Sequence, residues 1–243
     1  MQFFLIKLDK KNKKIFLHIK DLRLKQVLFC FILICFFPPK DSFCQASLPL
    51  EGIIQNVQGA YEKTRDFKAD FVQETFMKSV QKKLVEKGAM FFKKPRNILW
   101  DYSTPEVKKI VLNSRKAWLY LPKERVAYLQ SSSKILQSQV LMNFFSGAGK
   151  INKDFIVRFA QPEATDSEGN YLLVLTPRQK NAGFNEARIA VDKNHFSILR
   201  FSFDDAMGNT TTLYFSNMVV NANLPQKIFE FQPPADVEVF PLN

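Results

Sequence analysis

The sequence predicts a mainly β fold with a few helices (α+β), built on a curved, incompletely closed antiparallel barrel or half-barrel. Three observations predict it. Large apolar residues recur at period two through Phe67 to Pro122, most densely in Gly88-Ala89-Met90-Phe91-Phe92 and Ile98-Leu99-Trp100-Asp101-Tyr102, which is the alternation of pleated strands. Polar or glycine-containing turns separate these runs at short intervals, so successive strands pair antiparallel, a parallel pair needing a long crossover. Helical periodicity is confined to two main stretches.

The first of these is a helix from about Leu48 to Thr64, where Leu50, Ile53, Ile54, Val57 and Tyr61 follow i, i+3, i+4, i+7 spacing. Strands are then predicted over Phe67–Met77, Lys83–Phe92, Arg96–Tyr102, Lys108–Leu112, Lys116–Leu121 and Arg125–Leu129. A second helix follows from about Lys134 to Phe145, after the cap candidates Ser131, Ser132 and Ser133 and before Gly147 and Gly149. Six further strands are predicted over Phe155–Phe159, Tyr171–Pro177, Glu186–Asp192, Ser197–Ala206, Asn209–Val219 and Ile228–Phe231. Ser167-Glu168-Gly169-Asn170, Asp192-Lys193-Asn194-His195 and Met207-Gly208-Asn209 supply turns between them. Leu199, Phe201 and Phe203 alternate with polar residues, whereas Tyr171 to Leu175 is apolar on both faces. A curled sheet, apolar inside and partly covered outside, carries both patterns.

Residues 1–46 read as a secretory leader that is cleaved, and 47–243 as one domain. Lys20, Arg23 and Lys25 precede the 11-residue apolar run Val27–Phe37, and Cys44-Gln45-Ala46 offers small residues at a cut after Ala46. A membrane-spanning helix needs about 20 apolar residues, so the run is short for a permanent anchor. All three cysteines and nine of the 35 basic residues fall in this leader, so the remainder carries 26 basic and 20 acidic residues, a net charge of +6. That charge is scattered, which argues for a solvated surface and against a nucleic-acid interface.

Catalytic chemistry finds little support. His195 is the one histidine after the leader and lies in a polar turn; there is no Gly-x-Ser-x-Gly elbow and no phosphate-cradling glycine loop. Asp204 and Asp205 are adjacent, so on a strand they face opposite ways and cannot act as a couple. No set of residues suggests a metal or cofactor site. The chain therefore reads as a binding protein and not an enzyme, and its 17 phenylalanines beyond the leader would make any lumen apolar.

Read in order, several short motifs carry a resemblance: Phe67-x3-Phe71-x-Gln73, Gly88 followed by Lys94-Pro95, Trp100-x-Tyr102-x2-Pro105, Trp118-x-Tyr120-x-Pro122, Leu175-Thr176-Pro177 and Phe229-x-Phe231-x-Pro233-Pro234. The chain resembles the periplasmic lipoprotein carriers, the LolA family, over about Ala60 to Phe240. The resemblance implies about eleven strands lidded by helices over a hydrophobic cavity. It also implies a periplasmic carrier that takes acylated lipoproteins from an inner-membrane ABC-type releasing complex and delivers them to an outer-membrane receptor. A monomer is expected. Carriage of other envelope lipids on the same fold, or a non-lipid interaction domain, are the competing readings.

Candidate lipid-contacting residues are Phe71, Met90, Ile98, Trp100, Tyr102, Trp118 and Tyr120 on strands, with Leu141, Phe144 and Phe145 on the second helix. The family's arginine before the proline, which latches the lid in the empty state, is here Lys94, a point charge without the planar fork. Arg96, on the same side of a regular strand, is the second latch candidate. Asn113-Ser114-Arg115 replaces the family's Asp-Gly turn, so that hairpin is expected to differ in shape.

Overall fold

The structure is a computed structural model that describes residues 48–132, 150–179 and 184–242. Helix α1 (Leu50–Lys63) leads into β1 (Asp66–Met77), β2 (Lys82–Lys93), β3 (Asn97–Thr104), β4 (Lys108–Leu112), β5 (Lys116–Leu121) and β6 (Val126–Ser131). The short α2 (Ile151–Asp154) precedes β7 (Phe155–Phe159), β8 (Tyr171–Pro177), β9 (Ala187–Val191), β10 (Ile198–Asp204) and β11 (Thr210–Val220). A 3-10 turn (Gln226–Phe229) and β12 (Glu238–Pro241) end the chain.

All twelve strands form one sheet in the order β12-β6-β5-β4-β3-β2-β1-β11-β10-β9-β8-β7. Two meanders, β1 to β6 and β7 to β11, join where β1 pairs with β11. The curvature is visible in the side chains. β3 and β11 are three strand spacings apart, roughly 14 Å on a flat sheet, yet the Trp100 and Phe215 rings come within 6.4 Å. Side chains converge in this way on a concave face. Gly88 supports the bend: at the register shift between Lys87 and Gly88, a Cβ on Gly88 would lie 2.1 Å from the Asp101 carbonyl oxygen.

The described residues form twelve strands, in line with the expected count of about eleven; the twelfth lies parallel to β6, because the chain returns along the outer face before reaching that edge. Two expectations need correction. Ile228–Phe231 is not a strand; Gln226–Phe229 forms the 3-10 turn, started by Pro225 and driven by burial of Phe229. Arg96 does not share a strand with Lys94: both lie in the turn between β2 and β3, and Arg96 is exposed. The expected second helix falls outside the described residues.

Side-chain alternation divides the core. The concave face gathers Phe67, Phe71, Met90, Phe92, Ile98, Tyr102, Leu112, Phe201 and Phe215 with α1 residues Ile53, Ile54, Val57 and Tyr61. The outer face gathers Leu99, Val111, Trp118 and Ala127 beneath Leu224 and Phe229 of the C-terminal segment. Asn113 joins that segment to a hairpin. Its Oδ1 accepts the Arg115 and Lys116 backbone N–H groups at 3.0 Å, and its Nδ2 donates to the Phe229 carbonyl at 3.1 Å.

Two hairpins share one turn design. In Asp166-Ser167-Glu168-Gly169-Asn170 and Asp205-Ala206-Met207-Gly208-Asn209, the aspartate accepts backbone N–H groups two and four residues on, and the asparagine side-chain amide as well. The glycines take φ of +83° and +79°, a conformation open to glycine at little cost.

Candidate functional site

The site is built from α1 downward. Ile53 and Val57 are almost wholly buried against the concave face, and Ile54 and Tyr61 nearly so. Between α1 and strands β7, β8 and β9 lies a void of about 10 Å³, room for about one water and far too little for an acyl chain. The helix thus occupies the apolar face it covers. Desolvation pushes the Tyr61 phenol far above its ordinary pKa, and a hydrogen bond to the backbone at Ile198 acts in the opposite sense.

Lys94 reaches the end of that helix. Its Nζ donates to the carbonyls of Tyr61 and Glu62, each at 2.9 Å, and its backbone N–H donates to the Arg65 carbonyl at 2.9 Å. The last carbonyls of a helix lack intrahelical partners and carry the negative end of the helix dipole, so a cation fits there.

Beneath α1 the strands supply an aromatic floor. Phe71 meets Trp100 at 4.7 Å and Tyr102 at 5.0 Å, both edge-on. Met90 and Ile98 lie fully buried in the same layer. Trp118 and Tyr120 do not. They point from the outer face and pack on Phe231, at ring separations of 5.5 and 5.0 Å. The reason is register: Ile110 pairs with Leu119 and Val111 with Trp118, so Leu119, not Trp118, continues the face of Trp100.

This register exposes residues that the sequence reading missed. Leu119, Leu121, Val126 and Tyr128 continue the concave face beyond Ile110 as a half-buried apolar strip, ending at Phe240 on the β12 edge. Their signal is present in the sequence as the alternate set of β5, but aromatic bulk drew attention to the wrong parity. Leu141, Phe144 and Phe145 lie outside the described residues.

His195 sits exposed in its turn, where the Asp192 carboxylate accepts its backbone N–H at 2.6 Å and faces Nδ1 at 3.1 Å. Burial pushes the Asp192 carboxyl up, but the N–H groups of His195 and Asn194 outweigh it and hold the pKa below the usual range. Among the described residues no group of three His, Cys, Asp or Glu side chains is placed to hold a metal, and no helix is long and apolar enough to cross a membrane.

The fold and site define an open antiparallel half-barrel whose apolar concave face is covered by a helix. A model of the family "Outer membrane lipoprotein carrier protein LolA" matches residues 62–232, and the chain belongs to that family. It is 27% identical over 180 residues to the outer-membrane lipoprotein carrier protein of Methylococcus capsulatus, covering 74% of this chain and 83% of that one. It is 25% identical over 199 residues to that of Dechloromonas aromatica, covering 81% and 92%. Among solved structures, an uncharacterized conserved protein from Thermus thermophilus superposes with a TM-score of 0.51 at 16% identity, over 79% of this chain and 98% of that one.

Proposed function

We propose that this protein is a periplasmic carrier that shields the acyl chains of lipoproteins between the inner and outer membranes. The observation that carries the reading is α1 lying on the apolar part of the concave face, held at its C-terminal end by Lys94. Family membership supports the cargo class. With α1 seated, the part of the concave face beneath it is closed, and acyl chains reach that part only when α1 moves.

The energies are matched. Exposing Ile53, Ile54, Val57 and Tyr61 costs about 6–12 kcal/mol at about 1.5–3 kcal/mol per large side chain. A sixteen-carbon acyl chain withdrawn from water returns about 12 kcal/mol at about 0.8 kcal/mol per CH2. One chain therefore barely offsets the helix, whereas two or three chains offset it with a surplus. A carrier balanced in this way holds multiply acylated cargo and still surrenders it to a receptor, with no chemical step and no nucleotide. In this reading it receives cargo from an ABC-type releasing complex and passes it to an outer-membrane receptor. The leader at residues 1–46 provides export.

The test is binding of a synthetic diacylglyceryl-cysteine peptide to the purified protein, followed by transfer to acceptor vesicles. The reading expects saturable, displaceable binding and lipid-modified peptides in extracts of protein taken from cells. A protein that extracts clean and fails to bind the peptide overturns it.

A further inference from the structure

One patch of the concave face is not apolar. Gln73 pairs with Glu86 across β1 and β2, and Tyr102 with Lys108 across β3 and β4; Gly88 stands opposite Tyr102, so the two pairs meet diagonally beside the aromatic floor. Lys108 Nζ pairs with Glu86 Oε1 at 2.6 Å, and the Glu86 side chain is only 8% exposed. Gln73 Nε2 donates to Glu86 Oε2 at 3.2 Å, and the Tyr102 hydroxyl donates to Gln73 Oε1 at 3.0 Å. Lys108 Nζ also stands 4.4 Å from the centre of the Tyr102 ring.

Such an arrangement is a poor way to stabilise a sheet. Burying a charge pair costs desolvation that its Coulomb energy seldom recovers, and apolar residues of similar volume are often as stable or more so. Its position gives it a different use. Lys108 adjoins Ile110 along β4, and Ile110 pairs with Leu119, which pairs with Tyr128. The apolar strip therefore runs directly up to Lys108, whose side chain is 25% exposed. Lys108 has three donors and one carboxylate partner, so it can take a further acceptor without abandoning Glu86. Burial and the Glu86 carboxylate hold the Tyr102 phenol protonated, so its hydroxyl remains a donor.

We propose that the Gln73–Glu86–Tyr102–Lys108 patch is a polar subsite that binds the ester and amide carbonyls where acyl chains join the cargo's head, while the chains lie on the adjoining apolar strip. The inference rests on the carrier reading and adds to it how the cargo is oriented: carbonyls at Lys108, chains along the strip of Ile110, Leu119 and Tyr128. It also separates acylated peptides from plain hydrocarbon, which an apolar face alone cannot do.

The test replaces the pair together, Glu86→Leu with Lys108→Met, so that no single charge is left buried. Titrations use a diacylglyceryl-cysteine peptide and, separately, an alkylpyrene lacking carbonyls. The double variant should melt no lower than the parent, bind the peptide about tenfold more weakly, and bind the alkylpyrene unchanged or more tightly. Tyr102→Phe, which keeps the ring, should weaken the peptide alone by a smaller factor. Equal losses for both ligands, or no loss for the peptide in either variant, overturn the subsite while leaving the carrier reading intact. Failure of the parent protein to bind either ligand overturns the carrier reading and the subsite with it.

Discussion

Gly88 and Leu119 show how much rests on single positions. A Cβ at Gly88 would enter the Asp101 backbone, and strands β2 and β3 cannot both yield without losing the bulge. Gly88→Ala should cost about 3 kcal/mol in denaturant unfolding; a change under about 0.5 kcal/mol would show that the bulge relaxes freely. Leu119 is half-buried on the concave strip, while its neighbour Tyr120 packs outward on Phe231. Leu119→Glu should therefore weaken acyl-peptide binding at least tenfold in a protein that still folds, since a carboxylate opposes acyl chains. Tyr120→Leu should leave binding within about twofold and lower stability by about 1–3 kcal/mol; the reverse ranking would mean that the two faces have been exchanged. This pair also marks the limit of the sequence. Period-two spacing identifies which residues share a face, but not which face turns inward. That is decided by the register with β4 and by what covers each side, here α1 or the C-terminal segment.

At the scale of elements, α1 and the aspartate turns make separate predictions. Lys94 holds the last carbonyls of α1 by two hydrogen bonds. Lys94→Met removes both and leaves those carbonyls to water, so the closed state loses about 1–3 kcal/mol relative to the open one. The expected result is tighter cargo retention and slower transfer to acceptor vesicles, with the empty protein's unfolding free energy lowered by a similar amount; faster release would contradict the latch. The turns respond to acid. Hydrogen bonds from the Asn209 side chain and backbone hold the Asp205 carboxyl below its ordinary value. At Asp166, burial pushes the pKa up, but the bonds from Asn170 and Glu168 prevail and it too is lowered. A depressed folded pKa means that the unfolded chain takes up protons first. The stabilisation is complete above the ordinary value of 3.8 and is lost as pH falls through the folded values. Asp166→Asn with Asp205→Asn should flatten the fall in melting temperature below about pH 4; an unchanged acid limb would remove the turns from the account. These turns were readable in outline from Gly169-Asn170 and Gly208-Asn209. The 3-10 turn at Gln226–Phe229 was not, because the alternation of Phe229 and Phe231 imitates a strand, whereas Phe229 is driven wholly into the outer core and Phe231 lies half-buried over Trp118 and Tyr120.

The whole molecule is an open sheet with two unlike faces. Over β3 to β6 the outer one is covered by residues of the C-terminal segment, with Phe229 wholly buried. Part of the concave one is closed by a helix whose burial is of the same size as the burial of an acyl chain. The antiparallel strands, the first helix and the motif order were legible because they depend on local alternation, turn chemistry and spacing. The parallel β12 and the polar patch were not, because the first depends on the return path of the chain. The second depends on Gly88, which has no side chain opposite Tyr102, and on the Tyr102 hydroxyl reaching Gln73 in the neighbouring row.

The central claim is that α1 gives up the concave face to acyl chains. The most direct measurement places spin labels at Asn56→Cys on the exposed side of α1 and Arg188→Cys on the outside of β9, and records their separation with and without diacylglyceryl-cysteine peptide. The account predicts one distance in the peptide-free protein and a second, several ångströms longer, whose population follows peptide occupancy. Saturating peptide binding with the distance unchanged would contradict it.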